Sequence, residues 1–214
     1  MSIDPAIKAI ENFQAESLTK SLSEIEALIC SMGQNDVQSF CGNRGIDDDF
    51  LASALSIKKV AGQINVIIHA AGILRSLQSI LEPGEKVVSV SLGAGNTGRK
   101  FDLETNYRVA EYKFIDWQGG AETIRQNSIF KDFFELAEYE TPKRKYLYVV
   151  GTEYPFKFFM SGRALQSVLS RRPEMLARIN SKYGPDIKQV RDYYELMRHE
   201  VEICDISPFI GRGV

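Results

Sequence analysis

The side chains that could carry out chemistry in this chain are mainly carboxylates and lysines. Its 214 residues include only two His and three Cys, too few for a His-rich zinc site, a disulfide framework or a Cys-x-x-Cys redox motif. One group stands out, namely Asp102, Glu111 and Lys113, because these residues lie within apolar sequence. Burying a charged side chain costs free energy unless it is paired, so charges in such sequence indicate a structural or functional role. We expect any enzymatic chemistry to involve these residues and a hard metal ion.

Strand periodicity explains how these three residues could meet. Side chains two residues apart share a face of a strand, so Glu111 and Lys113 project together. If the flanking strands pair as a hairpin around Asn106, Asp102 comes close to Glu111. Two carboxylates that close suit Mg²⁺ or Mn²⁺, and a nearby lysine could orient or help deprotonate a water or stabilise developing negative charge. The alternative interpretation is a surface hairpin with a salt-bridged Glu-Lys pair.

The surrounding pattern predicts an α/β fold with a mixed central sheet flanked by helices. Helical and alternating apolar spacing give the element order from the sequence. In that order, the predictions are helices within 1–33, a loop at 34–45, helices at 47–57 and 64–81, strands at 86–92, 100–105 and 107–115, a helix at 121–137, a strand at 145–150 that is buried on both faces, and helices at 161–171, 174–179 and 186–200.

Charge is distributed unevenly along the chain. Residues 1–50 carry a net charge of −6 and residues 143–172 carry +6, although the whole chain has only −2. This balance excludes a uniformly basic protein that coats nucleic acid, but the later segment could face a phosphate backbone; a solvated surface explains it equally well. We divide the chain into a helical N-terminal extension at 1–62, an α/β core at 63–172 and C-terminal helices at 173–214 that pack on the core.

The expected location is the cytoplasm, with no membrane partner. The longest apolar stretch, 64–80, is interrupted by polar residues, and the N-terminus lacks the pattern of a signal peptide. The irregularly spaced Cys30, Cys41 and Cys204 are typical of free thiols in a reducing compartment.

A glycine-rich turn offers a competing site. Gly93, Gly95 and Gly98 match the G-x-G-x-x-G pattern that binds nucleotides or S-adenosylmethionine, with Asp116 as an acidic group for a ribose. That function requires a helix after Gly98, whereas residues 99–106 alternate like a strand. A hairpin loop is therefore favoured, and a transferase using this loop stays an alternative.

The arrangement of Asp102 and Glu111-x-Lys113 within residues 64–152 resembles the PD-(D/E)XK nuclease superfamily. The resemblance implies a restriction-endonuclease-like αβββαβ core, with Asp102 and Glu111 as metal ligands. It implies that Lys113 is the water-activating or charge-stabilising group.

A second part of the resemblance lies on the neighbouring helices. Gln126, followed four residues later by Phe130, matches a motif that some members carry on the helix after the catalytic strand, although the aromatic residue there is usually Tyr. Many members have an acidic residue on the first core helix, but residues 64–81 contain none. His69 lies on that helix and could substitute, but a core histidine is the favoured interpretation.

The function implied by the resemblance is an Mg²⁺- or Mn²⁺-dependent nuclease that hydrolyses phosphodiester bonds by metal-assisted attack of water, with DNA as its partner. The alternative from another class is a catalytically inactive interaction module with the same fold. The acidic N-terminal helices could contact a second copy of the chain or a partner subunit. Candidate nucleic-acid contacts are Arg125, Lys143, Arg144, Lys145 and Arg163.

Overall fold

The computed structural model describes residues 3–14 (Ile3 by its backbone only), 16–30, 32–93, 98–114, 117 and 122–210. Its chain contacts divide into two compact units, 1–65 and 66–214. The elements are α1 Ile3–Gln14, α2 Leu18–Ile29, α3 Gln34–Asn43, α4 Asp48–Ile80, β1 Val87–Val90, β2 Leu103–Thr105, β3 Arg108–Lys113, α5 Thr123–Ala137, β4 Arg144–Val149, α6 Glu153–Phe159, α7 Leu165–Val168, α8 Pro173–Tyr183, α9 Val190–Met197, β5 Glu202–Asp205 and α10 Ser207–Ile210.

The first unit is helical, as the sequence predicts, but the predicted loop at 34–45 is wrong. That segment forms α3, and the Gly33 N–H donates to Asp36 Oδ2 at its start (3.2 Å). The side chain of Asp36 thereby accepts a hydrogen bond from an amide at the helix start, which stabilises that end of the helix. The prediction missed the helix because the apolar periodicity of this segment is weak.

Helix α4 is a single helix where two were predicted. No proline interrupts residues 48–80, and Lys58, Lys59, Ala61 and Gln63 in the middle favour helix formation. By length and composition α4 could cross a membrane, with a mean hydropathy of 1.3 over an 18-residue window. Core helices of water-soluble proteins pass the same test, and the last turns of α4 pack on the sheet of the second unit through apolar side chains, namely Ile73, Leu77 and Ile80.

The second unit is built on a five-stranded mixed sheet in the order β1-β2-β3-β4-β5. Strands β1, β2 and β3 are antiparallel neighbours, and β3, β4 and β5 are parallel. The fifth strand corrects the prediction that residues after 173 form only helices. Four residues are too short to show alternation, and their strand structure comes from pairing with β4.

Each face of the sheet carries its own apolar core. Along β3, Val109 belongs to the core on the α5 side, whereas Ala110 and Tyr112 belong to the core on the α4 side. Residues of β4 contribute to both cores, which confirms the prediction of a strand buried on both faces. Because side chains alternate, Glu111 and Lys113 share the face of Val109 and are directed toward α5.

The predicted helix at 161–171 is mostly wrong, since only residues 165–168 form a helix. The chain before it pairs instead with the segment that precedes α9: Leu165 N–H donates to the Lys188 carbonyl and Val190 N–H donates to the Arg163 carbonyl, both at 2.9 Å. This pairing also shortens the predicted helix at 186–200 to residues 190–197. Contacts between segments this distant in sequence leave no local signal.

Candidate active site

A β-hairpin brings the two predicted carboxyl groups together. Strand β2 pairs with β3 in the register Leu103 to Ala110 and Glu104 to Val109, so the next step of the register places Asp102 opposite Glu111. The carboxyl groups of Asp102 and Glu111 are close enough for each to shift the pKa of the other. The backbone N–H of Tyr112 donates to Asp102 Oδ2 at 3.0 Å and holds that carboxylate in place.

The two carboxyl groups differ in how readily they ionise. Burial, reinforced by the negative charges of Asp132 and Asp102, raises the pKa of Glu111 to about 9. Burial also acts to raise the pKa of Asp102, but hydrogen bonds from His69 and from the Tyr112 amide outweigh it and lower that pKa. Glu111 is therefore the carboxyl group of the pair that holds a proton at neutral pH.

Lys113 is held by a third carboxylate. Its ammonium group forms an ion pair with Asp132 of α5, whose side chain is 4% exposed. Burial acts to lower the pKa of Lys113, but the charge of Asp132 and a hydrogen bond to it raise that pKa. Lys113 is therefore a cation with a fixed position, beside Glu111 on the same face of β3.

His69 lies at the site rather than only in an apolar core. Its Nε2 atom is 3.3 Å from Asp102 Oδ1, and its ring meets Phe114 edge-on with centroids 5.7 Å apart. The favoured interpretation of His69 as a core histidine is thus incomplete, because it is half-buried and contacts the candidate carboxylate.

The donor chemistry of the site fits a hard divalent cation. Within the described ranges, no group of three or more His, Cys, Asp or Glu side chains is arranged to hold a metal ion. The pair formed by Asp102 and Glu111 nevertheless supplies carboxylate oxygens, the ligands that Mg²⁺ and Mn²⁺ prefer. The raised pKa of Glu111 shows that negative charge accumulates at this position, which a bound cation would neutralise in place of the proton. These two residues are the ones that could hold such an ion.

The two residues of the motif on α5 make their described contacts with other parts of the unit. Phe130 is completely buried in the core on the α5 side, with its ring 5.6 Å from that of Tyr193. Gln126 accepts a hydrogen bond from Arg163 and lines a surface cavity with it. The hydrogen bond described for Gln126 therefore goes to a basic residue and not to Asp102 or Glu111.

The candidate nucleic-acid contacts divide into paired and unpaired cations. Each of the first four forms an ion pair: Arg125 with Glu122, Lys143 with Glu104 (2.7 Å), Arg144 with Glu82 (2.8 Å) and Lys145 with Glu200 (3.1 Å). Lys145 is also buried and donates to the Ala137 carbonyl at 3.0 Å. In contrast, the described part of the chain gives Arg163 hydrogen bonds to neutral side chains and no carboxylate partner. Nucleic-acid contact by any of them stays a prediction.

Comparisons with protein-family models, with curated proteins and with solved structures each found no match to this chain. The interpretation of the site consequently depends on the geometry of its own residues. One alternative is weakened by that geometry, since a transferase needs a helix after Gly98 and the chain forms β2 and β3 over 103–113 instead. Residues 94–97, which include Gly95, and Asp116 lie outside the described residues.

Asp132 is the residue of this site that the sequence interpretation missed. It lies between aromatic residues on α5, in the run Phe130-Lys131-Asp132-Phe133-Phe134, and is 3% exposed. An acidic residue on the buried side of an amphipathic helix requires a charged or hydrogen-bonding partner. The position of Asp132 among aromatic residues could therefore have marked it as a candidate site residue. The identity of the partner depends on how α5 packs on β3.

Proposed function

We propose that the second unit is a metal-dependent nuclease with a restriction-endonuclease-like core, which hydrolyses phosphodiester bonds of DNA with Mg²⁺ or Mn²⁺. The observation that carries the proposal is the adjacent carboxyl groups of the partly buried Asp102 and the buried Glu111, beside the fixed ammonium group of Lys113. The element order α4, β1, β2, β3, α5, β4 supports it, because it is the order of helices and strands that the αβββαβ core requires.

Asp102 and Glu111 would hold the cation in this proposal. A bound Mg²⁺ supplies Lewis-acid stabilisation of the negative charge that develops during attack on phosphorus. Glu111 must release its proton for this role, and the neighbouring Asp102 and Asp132 then form with it a strongly negative site. The Tyr112 amide keeps Asp102 oriented throughout.

Lys113 contributes positive charge next to the reacting phosphate. Two roles were expected for it, and the ion pair with Asp132 favours charge stabilisation, because a lysine held by a buried carboxylate stays protonated. An ammonium group with a fixed position stabilises a developing negative charge without reorganising during the reaction.

A catalytically inactive module of the same fold is the second candidate. Two observations favour it: residues 66–80 of α4 contain no carboxylate, and Lys113 already forms an ion pair with Asp132. Such a protein could still bind nucleic acid or a protein partner, but it would not cleave DNA.

The deciding experiment compares cleavage of linear and circular DNA by wild type, Lys113→Ala and the exposed control Lys188→Ala, with Mg²⁺ and with chelator. We expect cleavage by wild type and the control only with Mg²⁺, and a loss of about 100-fold or more in Lys113→Ala. Equal cleavage by wild type and Lys113→Ala would contradict the proposal. Thermal unfolding verifies that each variant is folded.

Metal binding separates the two candidates. Calorimetric titration of Mn²⁺ should show binding to wild type that is lost in Asp102→Ala and Glu111→Ala. If both variants bind Mn²⁺ like wild type, the carboxyl pair does not hold the metal and the proposed function fails. Binding without cleavage would favour the inactive module.

A further inference from the structure

The surface cavity that Gln126 and Arg163 line lies next to the candidate active site. It has a volume of about 300 Å³, within the range of small-molecule sites, and is lined by Trp117, Gln126, Tyr154, Lys157, Phe158, Ser161 and Arg163. Trp117 also lines a narrower cavity of about 40 Å³ that contains Lys113 in its wall. The larger cavity therefore adjoins the lysine of the proposed active site through a single shared side chain.

Arg163 gives this cavity an oriented positive charge. Its guanidinium group donates to Gln126 Oε1 and, at 3.4 Å, to Thr123 Oγ1. Both acceptors are neutral, and among the described residues no carboxylate lies within ion-pair distance of Arg163. A guanidinium that is held in place but not neutralised is suited to bind an anion, particularly the planar oxygen pair of a phosphate.

Trp117 and Tyr154 give the cavity an aromatic wall. Trp117 is 8% exposed and lines both cavities. The indole ring is stacked on Tyr154, with centroids 6.4 Å apart and an interplanar angle of 28°.

We infer that this cavity binds one phosphorylated nucleotide of a nucleic-acid strand, with its phosphate on Arg163 and its base against the aromatic wall formed by Trp117 and Tyr154. Aromatic side chains bind bases of any sequence through their faces. The assignment to a nucleic-acid strand rests on the proposed nuclease function, and it places this nucleotide next to the phosphate that is cleaved.

Trp117 is the only tryptophan in the chain, so its fluorescence reports on the cavity directly. The experiment titrates the full chain, in chelator, with thymidine 5′-monophosphate, with thymidine and with inorganic phosphate. We expect a saturable change with the monophosphate and at least tenfold weaker binding of thymidine and of phosphate alone. The variants are Arg163→Gln, Arg163→Lys and the exposed control Arg198→Gln.

The expected result is that Arg163→Gln weakens binding of the monophosphate about tenfold or more, Arg163→Lys recovers part of the affinity, and Arg198→Gln binds like wild type. Absence of a saturable change in wild type, or equal affinity in wild type and Arg163→Gln, would overturn the inference. So would equal affinity for the monophosphate and for phosphate, which would leave only an anion site. If Arg163→Gln does not fold, the ligand comparison in wild type still decides.

This assay needs neither metal nor cleavage, so the two proposals can fail separately. Nucleotide binding by a chain that never cleaves DNA would refute the nuclease and leave the cavity assignment. Cleavage by a chain whose tryptophan does not respond to the monophosphate would refute the cavity assignment and leave the nuclease.

Discussion

Asp132 and Lys113 connect α5 to β3 at the candidate site. The acid is almost completely buried and the lysine is 26% exposed at its side chain, so their ion pair is poorly screened by solvent. A carboxylate in this position keeps the ammonium group of Lys113 fixed, which a surface glutamate could not do. Asp132 is thus a positioning residue for the lysine in the proposed reaction.

Replacing Asp132 by Asn should lower DNA cleavage at least about tenfold, because the lysine loses the charge that holds it. Mn²⁺ affinity should be reduced far less, since Asp132 is not one of the two proposed ligands. The matched control is Glu135→Gln on the same helix, where a 33% exposed glutamate pairs with Lys131 at 3.1 Å. Equal cleavage by Asp132→Asn and Glu135→Gln would contradict the positioning role.

At the scale of elements, α4 and the end of β3 meet at a glycine. A Cβ atom added at Gly72 would lie 2.2 Å from the Phe114 ring, and that ring stacks on Tyr112 and packs edge-on against His69. The same addition at Gly62, also within α4, would meet nothing within 4 Å. Helix α4 can thus approach the site closely only because residue 72 is a glycine, which has no side chain.

Gly72→Ala should therefore be less stable than Gly62→Ala by about 2 kcal/mol. Both variants gain about 1 kcal/mol of helix propensity, but only Gly72→Ala must displace the Phe114 ring, at a cost of about 1–3 kcal/mol. Urea unfolding followed by circular dichroism, which reports on the helices of both units, measures the stability of each variant. A Gly72→Ala variant as stable as Gly62→Ala would show that the ring moves at no cost.

A buried ion pair fixes the start of β3 to the turn after α4. Arg108 Nε and Nη2 donate to the two carboxylate oxygens of Glu85, each at 2.6 Å, and Nη1 donates to the Tyr148 hydroxyl at 2.9 Å. Burial acts to raise the pKa of Glu85, but hydrogen bonds from Arg108, from Thr105 and from the Glu82 amide outweigh it and lower that pKa. The ionised form of Glu85 therefore stabilises the folded state.

Glu85→Gln should lower the free energy of unfolding at pH 7 by about 3 kcal/mol, since the buried Arg108 charge then keeps only the partly exposed Glu82 as a charged partner. The pKa of Glu85 in the folded state is below its ordinary value of 4.5, so the stabilisation is complete above pH 4.5 and is lost as the pH falls through the folded-state pKa. Urea unfolding at pH 7, 5 and 3 should show the difference from wild type shrinking at the lowest pH. The control Glu82→Gln, at a 43% exposed side chain, should cost less than about 1 kcal/mol.

At the scale of the molecule, the basic segment is less free to bind DNA than its composition indicates. Of the seven bases between residues 143 and 172, four form ion pairs, namely Lys143, Arg144, Lys145 and Lys157. Arg163, Arg171 and Arg172 have no ion-pair partner within the part of the chain that the structure describes. The acidic residues 1–50 keep their proposed role as a contact for a second copy or a partner subunit.

Binding of duplex DNA should accordingly depend only moderately on salt. Three phosphate contacts predict a slope of about −3 for the logarithm of affinity against the logarithm of salt concentration, whereas seven would predict about −6. Fluorescence anisotropy with labelled DNA in chelator, from low to moderate salt, measures this slope. A slope near −6 would mean that the ion pairs open when DNA binds.

The sequence by itself determined the local features of this protein. The alternation around Glu111 and Lys113 and the turn near Asn106 specify a hairpin, and a hairpin in that register brings Asp102 to Glu111. The strand at residues 144–149 was also evident, because a run of apolar and aromatic residues is typical of a strand buried on both faces. These features depend on neighbours within about ten residues, whose conformations the local pattern constrains.

Only the tertiary structure decided which distant groups complete the site. Asp132 reaches Lys113 because α5 packs on one face of the sheet, and His69 reaches Asp102 because α4 packs on the other. The pairing of Arg163 with Gln126 and the strand at residues 202–205 likewise join segments far apart in the chain. Helix and strand patterns specify which face of each element is buried, but the partner on that face follows from how the layers pack together.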